Sequence, residues 1–186
     1  GRPEAPDVVR PGDYENGGGV LMTGIPDIDF HLIAPRLGSK REAFEELCCQ
    51  LAHRHISADA SFVRLNGAGG DGGVECYADL PDQTRIGWQA KYVSDVDALI
   101  AQADSSLSTA LEVHATLTHY VVCFPFNLTG PTGRRGRSGQ QKFGEWRDRR
   151  ITEAAGQGRD LLIEAWPESK LRSLLCDLDL SGGLRL

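Results

Sequence analysis

Hydrophobic positions along this chain change period repeatedly, and the changes mark the elements. Phe44, Leu47, Cys48 and Leu51 fall at i, i+3, i+4 and i+7, the spacing that lines one face of a helix. Ser39 stands at the N-cap position, and Glu42 three residues on completes a capping-box pattern, so a helix is predicted from Ser39 to about His55. Ser61 to Leu65 reads as a short strand leading into a glycine cluster. Val74-Glu75-Cys76-Tyr77-Ala78 alternates at period two, as does Ile86 to Tyr92, and Pro81-Asp82-Gln83-Thr84 between them is a turn, so the two segments predict a hairpin. A helix follows from about Val96 to Val113, then a buried strand from Thr118 to Phe124 stopped by Pro125. A helix from about Ser138 to Ala155, a strand from Leu161 to Ala165 and a helix from Glu168 to Leu175 complete the order α-β-β-β-α-β-α-β-α. Residues 1–23, rich in Gly, Pro and Asp, read as a flexible leader. Residues 24–180 read as one domain and 181–186 as a tail or linker, and Pro26 and Pro35 keep the stretch before the first helix irregular.

Strand alternation sets a geometric condition on the hairpin. Gln89 and Lys91 are two apart and share one face. Glu75 joins them only if residues paired across the hairpin sum to an even number, as with 75 opposite 89. A two-residue turn at Asp82-Gln83 would send Glu75 to the other face, so an odd-length loop or a bulge is required.

Composition narrows the class. With 186 residues, 40% of them hydrophobic, the chain can bury a sizeable core. It shows no transmembrane run and no secretory signal pattern. Five cysteines without CxxC spacing read as free, mostly buried thiols in a reducing cytoplasm. The net charge of −6 argues against a generally sticky nucleic-acid binder, yet residues 134–150 hold seven basic side chains against Glu145 and Asp148. Local potential, not global charge, steers a polyanion. The plain reading of that tract is a solvated loop and a helix whose basic residues pair with those two acids. The alternative is phosphate contact.

Gly67-Ala68-Gly69-Gly70-Asp71-Gly72 matches GxGxxG, but a strand pattern follows it where a dinucleotide-binding turn must open a helix. No P-loop occurs. The glycines therefore read as a loop needing positive φ and close packing. None of the five histidines falls in a metal-ligand pattern. His53 and His55 end a helix, where the dipole favours a cation, and Trp146 and Trp166 read as core.

Glu75 on one strand and Gln89 and Lys91 on the next could be no more than the polar outer face of a hairpin. Trp88 and Tyr92 make the opposite face strongly apolar, however, which points to a central hairpin whose polar face lines a cleft. Glu45 and Glu46 on the preceding helix offer a further carboxylate. A carboxylate beside a Gln-x-Lys is the minimum equipment for seating a divalent ion against a phosphodiester.

These segments resemble the PD-(D/E)xK nuclease superfamily, and most closely its Mrr-like restriction endonuclease branch. That branch shows Phe-Glu on the first helix, a glycine-rich Asp-Gly-Gly-hydrophobic-acid strand and a Gln-x-Lys strand. Phe44-Glu45, Asp71-Gly72-Gly73-Val74-Glu75 and Gln89-Ala90-Lys91 match in order and spacing. The strand acid is usually Asp and here is Glu75, one methylene longer. The tract Phe124 to Thr132 also resembles nuclease modules fused to the N-terminus of bacterial antiphage sensor ATPases.

The resemblance implies an α/β fold with a restriction-endonuclease-like αβββαβ core, a mixed central sheet flanked by helices. It implies Mg²⁺ (or Mn²⁺) held by Glu75, Glu45, Gln89 and the Ala90 carbonyl, with Lys91 orienting the attacking water and stabilising developing charge. Asp71 is a secondary candidate. Arg134, Arg135, Arg137 and Lys142 are expected to contact phosphates of double-stranded DNA without reading sequence. The expectation is a cytoplasmic, metal-dependent DNA endonuclease of little sequence specificity, capable of self-association, serving antiphage defence and joined to an ATPase or sensor domain. The alternative is a catalytically inactive DNA-binding or assembly module with the same fold.

Overall fold

The computed structural model of the protein describes residues 28–65, 72–131 and 136–180. A short 3-10 turn at Phe30–Leu32 precedes α1 (Lys40–His55), followed by β1 (Ser61–Arg64), β2 (Cys76–Asp79), β3 (Arg85–Ala90), α2 (Val96–Val113), β4 (Leu117–Cys123), α3 (Gly139–Gly156), β5 (Leu162–Trp166) and α4 (Glu168–Leu180). The element order is the one the periodicities predict. The sheet runs β1-β2-β3-β4-β5, antiparallel as far as β3 and parallel from β3 to β5, so it is mixed and β3 is its centre.

Caps fix where the helices begin. Ser39 Oγ accepts from Glu42 N at 3.3 Å, and Asp95 accepts from Ala98 N at 2.9 Å. The full reciprocal box is built at α3, where Ser138 Oγ accepts from Gln141 N and Gln141 Oε1 accepts from Ser138 N. The Phe30–Leu32 turn lies in the stretch expected to be irregular, and its Phe30 is buried against the Phe44 ring, with centroids 6.0 Å apart.

The sheet separates two cores. One face carries Cys76, Ala78, Trp88, Ala90, Val121 and Cys123 against α1 and α4. The other carries Val74, Tyr120, Val122 and Phe124 against α2 and α3. Trp146 and Trp166 are both buried, as core residues should be. Cys48, Cys49, Cys76 and Cys123 are free and buried on the α1 side. Burial pushes the Cys48 thiol up, and a hydrogen bond to Cys49 together with burial does the same for Cys76, so these groups pack as small apolar side chains. Among the described residues, no helix is long and apolar enough to cross a membrane.

Two glycines of the cluster fall within the described residues, and both have positive φ. Gly73 lies so close under α2 that a Cβ there would sit 2.1 Å from Ser106 O and 2.5 Å from Ala110 N. Ala103 and Ala110 on the buried stripe of α2 permit the approach. The glycines thus serve local packing, as their positions imply. Asp71 and the preceding glycines fall outside the described residues.

A polar cluster closes the far end of the hairpin. Arg85 donates to both Asp79 oxygens, at 2.7 and 2.9 Å, lies 3.8 Å above the Tyr77 ring, and approaches His114 Nδ1 at 2.8 Å. Because guanidinium only donates, His114 Nδ1 must accept and the proton resides on Nε2. Burial and then the Arg85 charge hold the His114 imidazole below its usual range, and burial does the same to His119. The unfolded chain therefore binds more protons than the fold as pH falls through about 6.5, and stability present above that pH is lost below it. Urea denaturation at pH 7.5 and 5.5 should show this loss. His114→Gln should reduce the difference without abolishing it, because His119 titrates with the same sign. Asp79, held low by its hydrogen bonds from Arg85, contributes only at pH values more acidic than this window.

Candidate active site

Hairpin register decides which side chains meet. Cys76 pairs with Trp88 and Ala78 with Ile86, so paired numbers sum to 164. The sum is even, and the Glu75 N–H donates to Trp88 O at 2.8 Å just past the ladder's end. The connection is the five-residue stretch Leu80 to Thr84, an odd length. Asp82 sets its shape by accepting from Thr84 N at 3.0 Å and Thr84 Oγ1 at 2.6 Å, and Gln83 adopts φ of 69°. β2 begins at Cys76 and not at Val74 because Gly73 and Val74 are committed to packing under α2.

Glu75 and Gln89 consequently share the sheet face opposite α1, and Gln89 Nε2 donates to Glu75 Oε1 across the two strands. The same Nε2 lies 3.4 Å from Ala90 O, a long contact that nonetheless places that carbonyl in the same neighbourhood. Gln89 is 1% exposed, and its Oε1 is buried with no hydrogen-bond partner among the described residues. Leaving such an oxygen unmade costs roughly 1–3 kcal/mol. Lys91 follows on the same parity, its N–H donating to Cys123 O at 2.9 Å, so the strand direction persists through it. Glu75 and Lys91 are both half-buried.

Glu45 approaches from a different element. Phe44 packs on Tyr92, with ring centroids 5.6 Å apart, so Glu45 and Lys91 are chain neighbours of a contacting pair. Yet α1 covers the sheet face opposite Glu75 and Gln89. To share an ion with them, Glu45 must reach around the end of the ribbon. Its side chain is 18% exposed, and Arg41 Nε lies 3.5 Å from it. Glu46, the adjacent acid, is occupied otherwise: Arg36 and Arg64 both pair with it, and Gln50 donates to it at 2.8 Å. That clamp ties the chain before α1 to β1. Its partners are far apart in sequence, and no local pattern announces it.

The donor chemistry fits a hard cation: a carboxylate, an amide oxygen and a backbone carbonyl are oxygen ligands of the kind Mg²⁺ takes with several waters retained. Two features temper the fit. Among the described residues, no group of three or more His, Cys, Asp or Glu is placed to hold a metal. The Gln89 amide also turns its N–H, not its oxygen, toward Glu75, so ligation requires that amide to rotate.

The basic tract is largely self-neutralised where it is described. Arg137 pairs with Glu145, and Lys142 donates to both Asp97 oxygens at 2.9 and 2.7 Å. Arg147 pairs with Asp148, and Arg149 and Arg150 lie within ion-pair reach of Asp104 and Glu153. An open groove of about 410 Å³ between α2 and α3 is bordered by Asp97, Arg137, Lys142, Glu145, Trp146 and Arg149. Sequence reading foresaw Glu145 and Asp148 as partners but missed Asp97 and Asp104, which come from α2. Arg134 and Arg135 lie outside the described residues.

Compared with known protein families, with characterised proteins and with solved structures, the chain matches none of them significantly.

Proposed function

We propose that this protein is a metal-dependent DNA endonuclease whose ion is held by Glu75, the Gln89 amide oxygen and the Ala90 carbonyl, with Glu45 completing the set. The observation that carries this reading is the meeting of the Glu75 carboxylate with the buried Gln89 amide, whose oxygen has no partner among the described residues and, once the amide turns, faces the same spot as the carboxylate. A cation beside Glu75 would give the turned amide oxygen the partner it lacks. When bound, Mg²⁺ supplies Lewis-acid stabilisation of a phosphodiester and a more acidic water. Glu75 brings the one full negative charge that the β2–β3 ribbon contributes. Gln89 fills the position without adding a second, which weakens the grip on the ion. Lys91, on the same face of the ribbon, supplies a cation where charge develops on the phosphoryl oxygens.

Arg137 and Lys142 are the described candidates for phosphate contact, and to make it they must exchange Glu145 and Asp97 for DNA. Exposed ion pairs of this kind are worth about 1 kcal/mol or less, so the exchange is feasible. Cleavage of little sequence specificity follows from a surface that, among the described residues, offers phosphate contacts and no base-reading element. A role as an antiphage effector joined to a sensor ATPase is part of the same proposal.

The test is nicking of supercoiled plasmid in Mg²⁺. Wild type is expected to cut and Glu75→Ala to lose at least about 100-fold in rate. Equal cutting by both proteins would discard the assigned site, and a parallel arm with RNA separates the two nucleic acids. The second reading, a catalytically silent DNA-binding or assembly module, is favoured by the Gln89–Glu75 hydrogen bond, which satisfies the carboxylate without an ion. DNA binding with no cutting by wild type would select it.

A further inference from the structure

The chain enters α1 through a two-residue turn. Arg36 N donates to Ser39 O at 3.1 Å and Ser39 N returns the bond to Arg36 O at 2.9 Å, and the central residues, Leu37 and Gly38, have φ of 50° and 82°. Positive φ at both positions is the pattern of a type I′ turn, in which asparagine, aspartate or glycine normally stands first. A leucine there meets a steric penalty that those residues largely escape, because its Cβ crowds the following carbonyl. Packing does not compensate: Leu37 is 87% exposed, the highest value among the exposed large hydrophobic residues described. Neither the core nor the turn accounts for a leucine at this point. A strained, outward apolar side chain held on a tight turn is instead suited to enter a partner.

Charge around the turn indicates the partner. Arg36, Lys40 and Arg41 all lie within four residues of Leu37. Arg36 and Arg64 share one carboxylate, Glu46, which leaves a positive charge uncancelled. Lys40 Nζ donates to His31 O at 2.6 Å, a neutral group. Arg41 approaches Glu45 at 3.5 Å, yet its side chain is 70% exposed. The carboxylates of this corner turn inward: Glu45 and Glu46 are 18% and 20% exposed, and Glu42 Oε2 is buried. Outward-facing charge is therefore positive, which suits a polyanion. One leucine gives too little apolar area for a stable protein interface, which takes roughly 800 Å² per partner, but a single leucine suffices to part a base step. Through Arg41 the turn also adjoins Glu45, the acid proposed to complete the ion set.

We infer that Leu37 is a wedge that inserts between base pairs of duplex DNA while Arg36, Lys40 and Arg41 hold the flanking phosphates. The inference rests on DNA being the substrate proposed above, and it predicts a preference for easily unstacked pyrimidine–purine steps beside the cut.

The test is binding, with Ca²⁺ in place of Mg²⁺, of a short duplex with one TA step whose adenine is replaced by 2-aminopurine, a base that brightens when it unstacks. Wild type is expected to raise the fluorescence at saturation by at least about two-fold. Leu37→Asn suits the turn better and should fold at least as stably; it is expected to remove most of the rise while keeping duplex affinity within about three-fold. Leu37→Met should retain the rise. Lys40→Gln should weaken binding and lower the slope of log affinity against log salt by about one. Binding by wild type without a fluorescence rise, or an equal rise with Leu37→Asn, would overturn the wedge and leave the nuclease reading standing. A rise that depends on Leu37, without plasmid nicking in Mg²⁺, would support the wedge and remove the nuclease reading. Absence of duplex binding by wild type would overturn both, and capture by phosphatidylserine vesicles that Leu37→Asn loses would then assign the leucine to a membrane surface.

Discussion

Gly73→Ala should destabilise the fold by about 3 kcal/mol or more, the sum of a left-handed backbone cost and an overpacking cost. The contact that causes this is with backbone: the new Cβ would lie 2.1 Å from Ser106 O and 2.5 Å from Ala110 N. Neither atom can rotate away as a side chain could, so α2 must lift from the sheet or the segment before β2 must shift. The Tyr120 hydroxyl, which donates to Gly73 O at 3.1 Å, resists the second route. Gly73 also lies two residues ahead of Glu75, so any shift moves the carboxylate off its register with Gln89. Urea denaturation checks the value, with Gly144→Ala as the control. Gly144 is inside α3 with nothing within 4 Å of its would-be Cβ. Alanine there is expected to stabilise by roughly 0.5–1 kcal/mol. Equal stability of Gly73→Ala and wild type would contradict the packing described.

Lys91→Ala should cut Mg²⁺-dependent cleavage by about 100-fold or more while leaving metal affinity unchanged or slightly tighter. The two readouts separate because Lys91 is assigned to charge on the phosphoryl group and Glu75 to the ion. Removing a cation close to a metal site relieves repulsion, whereas removing a ligand weakens the site. A Lys91→Ala protein that lost metal binding and cleavage together would show the lysine to be a structural prop for the ribbon. A variant that cut at the wild-type rate would take Lys91 out of the chemistry.

The element order was legible because burial imposes period on the chain: Phe44, Leu47, Cys48 and Leu51 on α1, and the alternation through Glu75 and Gln89, permit few other arrangements. The hairpin parity could be stated from sequence as a condition. Its solution rested on Asp82 accepting from Thr84 and on Gln83 taking a left-handed conformation, details that alternation alone does not specify. The meeting of Glu75 with Gln89 follows from that register, whereas the orphaned Gln89 oxygen depends on three-dimensional packing. Long-range charge pairing was the least legible feature. Glu46 held by Arg36 and Arg64, Arg85 drawn to His114, and Lys142 held by Asp97 each join different elements of the fold. Counting charge along residues 134–150 offered Glu145 and Asp148 as the only acidic partners, but acids from α2 also reach across to its described members. Approach of α1 from the sheet face opposite Glu75 and Gln89 likewise comes from layer packing that a motif does not encode.

Titration of Mn²⁺ into wild type and Glu75→Ala, followed by calorimetry or by paramagnetic broadening of the Gln89 side-chain amide resonances, addresses the assigned ion site most directly. One ion per chain is expected in wild type, with the Gln89 amide broadened, and at least about ten-fold weaker binding in the variant. Identical isotherms for the two proteins, or an unbroadened Gln89 amide at saturating Mn²⁺, would contradict the account.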